Sequence, residues 1–321
     1  MAAGAELSAI VVLGPVRERA QRVVTALCRQ TAAARLELVL VDVASGNPKL
    51  ATEGPARAVY LRRETPATWG ASRAAGVASA GAPVVAFLED HCIPSPRWAE
   101  ALIEAHREPW AAVGYAFTNA NPDSYVSRAS FIVDYGAWAD PVASGEAAFL
   151  QNNNISYKRD LLLSLGQPLD ELLETDWNVQ QALKQGGHRL YLDGRALGAH
   201  HNFTSVKEML DENFAHCRAV AAGRRERERW TASRSVAQAM VTPIVAPPIR
   251  FARLVRGTAV RSGRRRDLVR ALPLIALAYP FAAVGEAAGY LLGLGAADRA
   301  LRRSLLDTRR DGARAHEVAR S

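Results

Sequence analysis

The sequence predicts an α/β protein, with a mostly parallel central sheet, helices on both faces and a separate helical region at the C-terminus. Three observations support this. Apolar runs of strand length alternate with segments of helical periodicity through the first third of the chain. Acidic residues gather beside such elements: Glu89-Asp90-His91 directly follows an apolar run, and Glu174-Thr175-Asp176 directly precedes a helical stretch. Charge also divides the chain, because the 104 residues from Arg218 to Ser321 hold 21 Arg and no Lys against 8 Asp and Glu. That surplus of 13 exceeds the whole-chain net of +8, so the first 217 residues are net acidic.

The elements follow in order. Leu7–Leu13 is a strand-like run, and over 17–30 Ala20, Val23, Val24 and Leu27 recur at helical spacing. A second strand over 36–41 ends at Asp42, 58–61 is a weaker third, and 72–80 is a helix of small residues. Val84–Leu88 is continuously apolar, as a strand covered on both faces should be. Pro96 suits the first turn of a helix that continues through Ala105. In the open sheet this alternation builds, ligands and metals gather beyond the carboxyl ends of the strands, where polar side chains converge.

Composition narrows the class. A chain of 321 residues with 49% hydrophobic and 22% charged residues can bury a full core, which excludes a disordered chain. Cys28, Cys92 and Cys217 are an odd, widely spaced set without a C-x-x-C pair, so neither a disulfide framework nor a structural zinc site is indicated. The opening residues lack a basic segment, and the apolar run 10–13 is too short for a signal peptide. A reducing, cytoplasmic compartment is the expectation.

Motifs narrow it further. The dinucleotide fingerprint G-x-G-x-x-G is absent after the first strand, where Leu13-Gly14-Pro15-Val16-Arg17 stands. Neither a phosphate-binding P-loop nor the G-x-S-x-G elbow of hydrolases occurs. What remains is a sheet whose strand ends carry carboxylates in place of glycine loops. In chain order these residues are Glu37-Leu38-Val39-Leu40-Val41-Asp42, then Gly70-Ala71-Ser72-Arg73, then Phe87-Leu88-Glu89-Asp90-His91. Asn152-Asn153-Asn154, Glu174-Thr175-Asp176-Trp177, Gly187-His188-Arg189 and His200-His201-Asn202 continue the series. Together they resemble family 2 inverting glycosyltransferases of the GT-A fold, over roughly residues 7–225.

The resemblance implies a nucleotide-diphosphate sugar as donor and a hydroxyl on a glycan or lipid-linked acceptor. It places Asp42 against the base and Arg73 near the nucleotide, with Glu89, Asp90 and His91 holding a divalent cation, Mn²⁺ or Mg²⁺, at the diphosphate. His200, followed by Asn202 at the family's spacing, joins them as a candidate ligand. Asp176, aligned from Gly187, becomes the general base of an inverting attack. Asn154, Glu174 and Trp177 fall on the acceptor side. The implied domain covers 1–230, with a nucleotide-sugar half to about 117 and an acceptor half beyond, and 231–321 stands apart. Where the family carries D-x-D this chain has Glu89-Asp90-His91, and an imidazole favours Mn²⁺ over Mg²⁺.

Plainer uses exist for the same residues. Asp42 and Asp176 suit helix capping, Glu89-Asp90-His91 a solvated turn, Asn152–Asn154 a polar turn, and Trp98 and Trp177 simple packing. Two other functions stay open. One is a non-catalytic module that binds nucleotide or partners at the membrane. The other is a nucleotidyltransferase, against which stands the missing basic glycine-rich loop.

The C-terminal region is arginine-rich and apolar by turns. Pro243, Pro247 and Pro248 are expected to break any long helix over 235–255. The stretch 271–294 is apolar except for Glu286 and has the ~20-residue length of a membrane span. Pro273, Pro280, Gly285, Gly289 and Gly293 interrupt it, and arginines flank both ends, from Arg264 to Arg270 and at Arg299, Arg302 and Arg303. In-plane helices on an anionic surface account for those charges, which places the protein peripherally on the inner face of the cell membrane. A homodimer through this segment is the other use. Nucleic acid is not expected as a partner, since no binding motif and few stacking aromatics occur there. The residues after Asp307 are expected to fray.

Overall fold

The computed structural model describes residues 4–44, 49–53, 57–63, 68–261 and 263–302. Arg303 and the segment after Asp307 lie outside them. The strands are β1 (Leu7–Leu13), β2 (Leu36–Asp42), β3 (Arg57–Arg62), β4 (Val84–Leu88), β5 (Cys92–Pro94), β6 (Ala112–Asn119), β7 (Gly145–Glu146), β8 (Ile155–Lys158) and β9 (Leu190–His200). They form one sheet in the order β3-β2-β1-β4-β8-β6-β9-β5, with β7 paired to β9. Strands β1 to β4 run parallel. The sheet is then extended by antiparallel pairs, β4 with β8, β8 with β6 and β9 with β5.

The expected α/β class holds. Every residue of β1, β2 and β4 is buried, which is why these strands read as unbroken apolar runs. Because β1, β2 and β4 are parallel and adjacent, their C-terminal ends come to one edge and carry Asp42 and Glu89 there together.

The helices are α1 (Arg17–Cys28), α2 (Trp69–Ser79), α3 (Trp98–Ala105), α4 (Tyr125–Tyr135), α5 (Arg159–Leu163), α6 (Leu169–Leu172), α7 (Asp176–Gln185), α8 (Val206–Arg227), α9 (Ala232–Val255), α10 (Arg265–Leu292) and α11 (Ala297–Arg302). In α1, Ala20, Val23, Val24 and Leu27 are buried, as their spacing predicts. Helix α3 opens at Trp98 with Arg97 at its N-cap, so Pro96 precedes the helix instead of filling its first turn. Thr68 caps α2 by accepting from the Ala71 N–H at 3.1 Å.

Small residues let α2 sit close to the sheet. A Cβ on Gly76 would come within 2.5 Å of Ile10 Cγ2 and 3.3 Å of Val41 Cγ2. Gly76→Leu should therefore lower stability by about 1–3 kcal/mol through overpacking. Chemical denaturation checks this, and an unchanged midpoint would mean that α2 is not seated on β1 and β2.

Contacts divide the chain into two units, residues 1–118 with 140–200 and residues 119–139 with 201–321. The first holds nearly all of the sheet. In the second, α10 lies against α8 so closely that a Cβ on Gly285 or Gly289 would meet the backbone oxygens of Phe214 and Arg218. The prolines do not break α9, contrary to the expectation, for Pro243, Pro247 and Pro248 all lie within it. Pro243 and Pro248 are on its exposed side, as are Pro243 and Ile244, the residues whose carbonyls Pro247 and Pro248 leave without a helical donor. Pro273 and Pro280 likewise sit inside a continuous α10. Cys28, Cys92 and Cys217 are buried and free.

Candidate active site

At the end of β2, Asp42 is buried and bound on both oxygens. The Arg17 guanidinium, from the first turn of α1, donates to Oδ1 and Oδ2 at 2.7 Å each. The Tyr60 hydroxyl donates to Oδ2 at 2.7 Å, and the Ala44 N–H to Oδ1 at 3.1 Å. Burial, then this carboxylate, push the Tyr60 phenol up to about 12.

The second cluster lies at the end of β4. Glu89 N–H donates to Asn154 Oδ1 at 3.1 Å, while Asn154 Nδ2 returns to Glu89 Oε2 at 2.5 Å and Asn153 Nδ2 reaches Oε1 at 3.2 Å. Asn153 takes a left-handed backbone, φ 66°, which Asn tolerates better than most residues. His200, the last residue of β9, brings Nε2 to 3.2 Å from Glu89 Oε2. His91 Nε2 is 3.9 Å from the same oxygen, and the two imidazoles meet edge to face at 4.8 Å.

Asp90 points elsewhere. Its Oδ1 accepts from Arg19 Nη2 at 2.9 Å and lies 3.0 Å from His91 Nδ1. Burial pushes this carboxyl up to about 6, against the opposing pull of Arg19 and the Gly14 N–H. A carboxylate can only accept, so it fixes His91 as the Nδ1–H tautomer and leaves the Nε2 lone pair facing Glu89. The acidic triplet is thus split. Glu89 and His91 supply donor atoms, and Asp90 orients one of them.

The third cluster centres on Asp176, set at the start of α7 where Thr175 caps the helix by accepting from the Trp177 N–H at 3.2 Å. Asp176 is fully buried. Oδ1 accepts from Arg73 Nη2 at 2.8 Å and from the Tyr157 hydroxyl at 2.7 Å; Oδ2 accepts from Arg73 Nη2 at 3.0 Å and from the Asn153 N–H at 2.6 Å. These contacts account for the roughly four lone-pair sites of a carboxylate. Arg73 also donates to the Leu173 carbonyl at 3.0 Å and lies over the Phe87 ring at 3.9 Å.

The structure thus brings Glu89, His91 and His200 together, and joins Arg73 to Asp176. Asn153 ties the two groups, since its backbone N–H holds Asp176 and its side chain holds Glu89. Asn154 faces Glu89. Glu174 is exposed and accepts from the Gly70 N–H at 3.0 Å, while Trp177 packs on Phe149 with ring centroids 4.1 Å apart. Sequence reasoning missed Arg17, Arg19, Tyr60, Asn153 and Tyr157. A signal existed for the two arginines, because a helix opening just after β1 starts at the sheet edge where the carboxylates of β2 and β4 end.

Glu89, His91 and His200 offer one carboxylate oxygen and two imidazole nitrogens, all within 4.8 Å of one another. Two nitrogens and one oxygen form a donor set that fits Mn²⁺ and its first-row neighbours better than Mg²⁺. The residues present therefore fit a divalent cation, with Asp90 as the orienting partner that a ligating histidine ordinarily has.

Residues 9–162 match the family model described as Glycosyl transferase family 2. No curated protein sequence matches the chain. Among solved structures, the chain is similar to residues 1–349 of TarS from S. aureus, with 14% identity, 92% of this chain and 91% of that one covered, and a TM-score of 0.46. It is also similar to the mannosyltransferase PcManGT from Pyrobaculum calidifontis in complex with GDP-Man and Mn²⁺, with 15% identity, 95% and 88% covered, and a TM-score of 0.49. The matched segment contains β1 to β4, Asp42, Arg73, the Glu89-Asp90-His91 triplet and Asn154, and over these residues the chain carries a glycosyl transferase family 2 domain.

Proposed function

We propose that the chain transfers a sugar from a nucleotide-diphosphate donor to a hydroxyl on a glycan or lipid-linked acceptor, with inversion. The observation that carries this reading is the Glu89, His91 and His200 group at the end of β4, backed by Asp90. A cation held by those three residues would supply charge neutralisation for a diphosphate leaving group.

The chain's own residues take the remaining roles. Asp42, whose oxygens are filled by Arg17, Tyr60 and the Ala44 N–H, takes the donor's base end by exchanging one of these donors. Asp176 accepts the proton of the attacking hydroxyl, and for that one of its donors must let go. Arg73 is the donor with somewhere to go, because a bound diphosphate competes for its guanidinium. In this reading, donor binding frees the base. The second reading, a binding module without turnover, draws on the same saturated Asp176. Turnover assays with a released nucleoside diphosphate as readout separate the two.

Donor binding tests the main reading directly. Titration of nucleotide-diphosphate sugars into EDTA-treated protein should show weak or no binding, restored by Mn²⁺ at least as well as by Mg²⁺. Equal affinity with and without metal would remove the cation from the mechanism.

A further inference from the structure

Two helices of the second unit each leave one side uncovered, and both uncovered sides are apolar. Along α9 the exposed positions include Val236, Met240, Val241, Ile244, Val245 and Ile249, a helical stripe. No charged residue occurs between Ser235 and Ile249. Along α10 the stripe is Val269, Leu272, Leu277, Phe281, Val284 and Leu291. Met240 is 72% exposed and Ile244 76%. Exposed apolar surface of this extent marks an interaction site.

Basic residues border these stripes. Arg253 and Arg256 follow the α9 stripe, and Arg265, Arg266 and Arg270 adjoin the start of the α10 stripe, all of them exposed. An apolar stripe beside exposed arginines complements an anionic lipid surface, where the apolar side enters the acyl boundary and the guanidinium groups meet headgroup phosphates.

Alone among the described residues, α10 is a helix long and apolar enough to cross a membrane, but half of its apolar window is buried within the protein. What covers it is α8, at backbone contact through Gly285 and Gly289. Helix α8 carries Arg218, Arg224, Arg225 and Arg227, and Glu286 on α10 pairs with Arg250 of α9 at 2.6 Å. A spanning α10 would draw that charged neighbour into hydrocarbon.

We propose that the exposed stripes of α9 and α10 form a surface that lies in the interface of an anionic bilayer without crossing it. This goes beyond the transfer reaction and does not depend on it. Full-length protein should float with vesicles of phosphatidylcholine and phosphatidylglycerol, float poorly with phosphatidylcholine alone, and come off in high salt or alkaline carbonate. Arg265→Gln combined with Arg266→Gln should weaken binding to the anionic vesicles about 30-fold. Ile244→Glu should weaken it by at least about 10-fold. Light scattering without lipid should show the same mass for wild type and Ile244→Glu.

Three results would overturn the proposal. Protein that stays off anionic vesicles has no such surface. Binding that resists carbonate means a span. A wild-type dimer that Ile244→Glu dissociates means that a second copy covers the stripe. The arginine pair keeps the test decisive should Ile244→Glu fail to fold, since both residues are exposed and their replacement leaves the packing untouched.

Discussion

Asp176→Asn should lose roughly 10²–10⁴-fold in kcat with donor affinity near wild type, the scale on which a positioned general base acts. The same substitution should also weaken the fold. Asp176 is the carboxylate partner of a buried guanidinium, and removing one member of such a pair costs about 3–5 kcal/mol because the other charge stays behind unpaired. A loss of activity alone would therefore not identify the base. Adding Arg73→Gln identifies the source of the instability, and since Arg73 is also proposed to meet the donor diphosphate, turnover is compared at saturating donor with Arg73→Gln alone as the reference. If stranded charge causes the instability, the double variant should be more stable than Asp176→Asn alone, as contacting residues are non-additive. If Asp176 is the base, turnover should not return with stability. Transfer by Asp176→Asn at the wild-type rate would sink the assignment, and turnover that recovers in the double variant would make Asp176 structural only.

This coupling could not be read from the sequence. Arg73 and Asp176 stand 103 positions apart, and each fits its own local context, a small-residue helix and a capped helix start. Nothing in either segment says that they meet. The carboxylates at the strand ends were legible for the opposite reason. Val84–Leu88 is buried on both faces, so its apolar run stops where the chain leaves the core, and Glu89 had to lie at that edge. The prolines misled because a rule about a missing N–H concerns one hydrogen bond, whereas α9 and α10 are held by packing along their buried sides. Likewise the triplet pointed to a candidate cation site but not to which of its side chains turn inward. Arg19 decides that by drawing Asp90 toward α1, and the pairing becomes visible only when β1 and β4 lie side by side.

The division of labour within the triplet has its own consequence. Glu89→Ala, His91→Ala and His200→Ala each remove a donor atom from a three-residue set, while Asp90→Asn leaves all three in place. An Asn at 90 can still meet His91 through its amide oxygen, yet it loses the negative charge that raises the imidazole's basicity and holds its tautomer. Mn²⁺ affinity, followed by the electron paramagnetic resonance signal of the free ion in EDTA-treated protein, should therefore fall about 10–100-fold for Asp90→Asn. The three donor variants should fall further than that. Arg19→Met should act in the same direction as Asp90→Asn, because without the guanidinium the buried carboxyl gains its proton more readily and loses the negative charge it sets against His91. An Asp90→Asn loss as large as that of His91→Ala would make Asp90 itself a ligand. Unchanged affinity in His200→Ala would confine the site to the triplet, leaving the contact of His200 with Glu89 as packing alone.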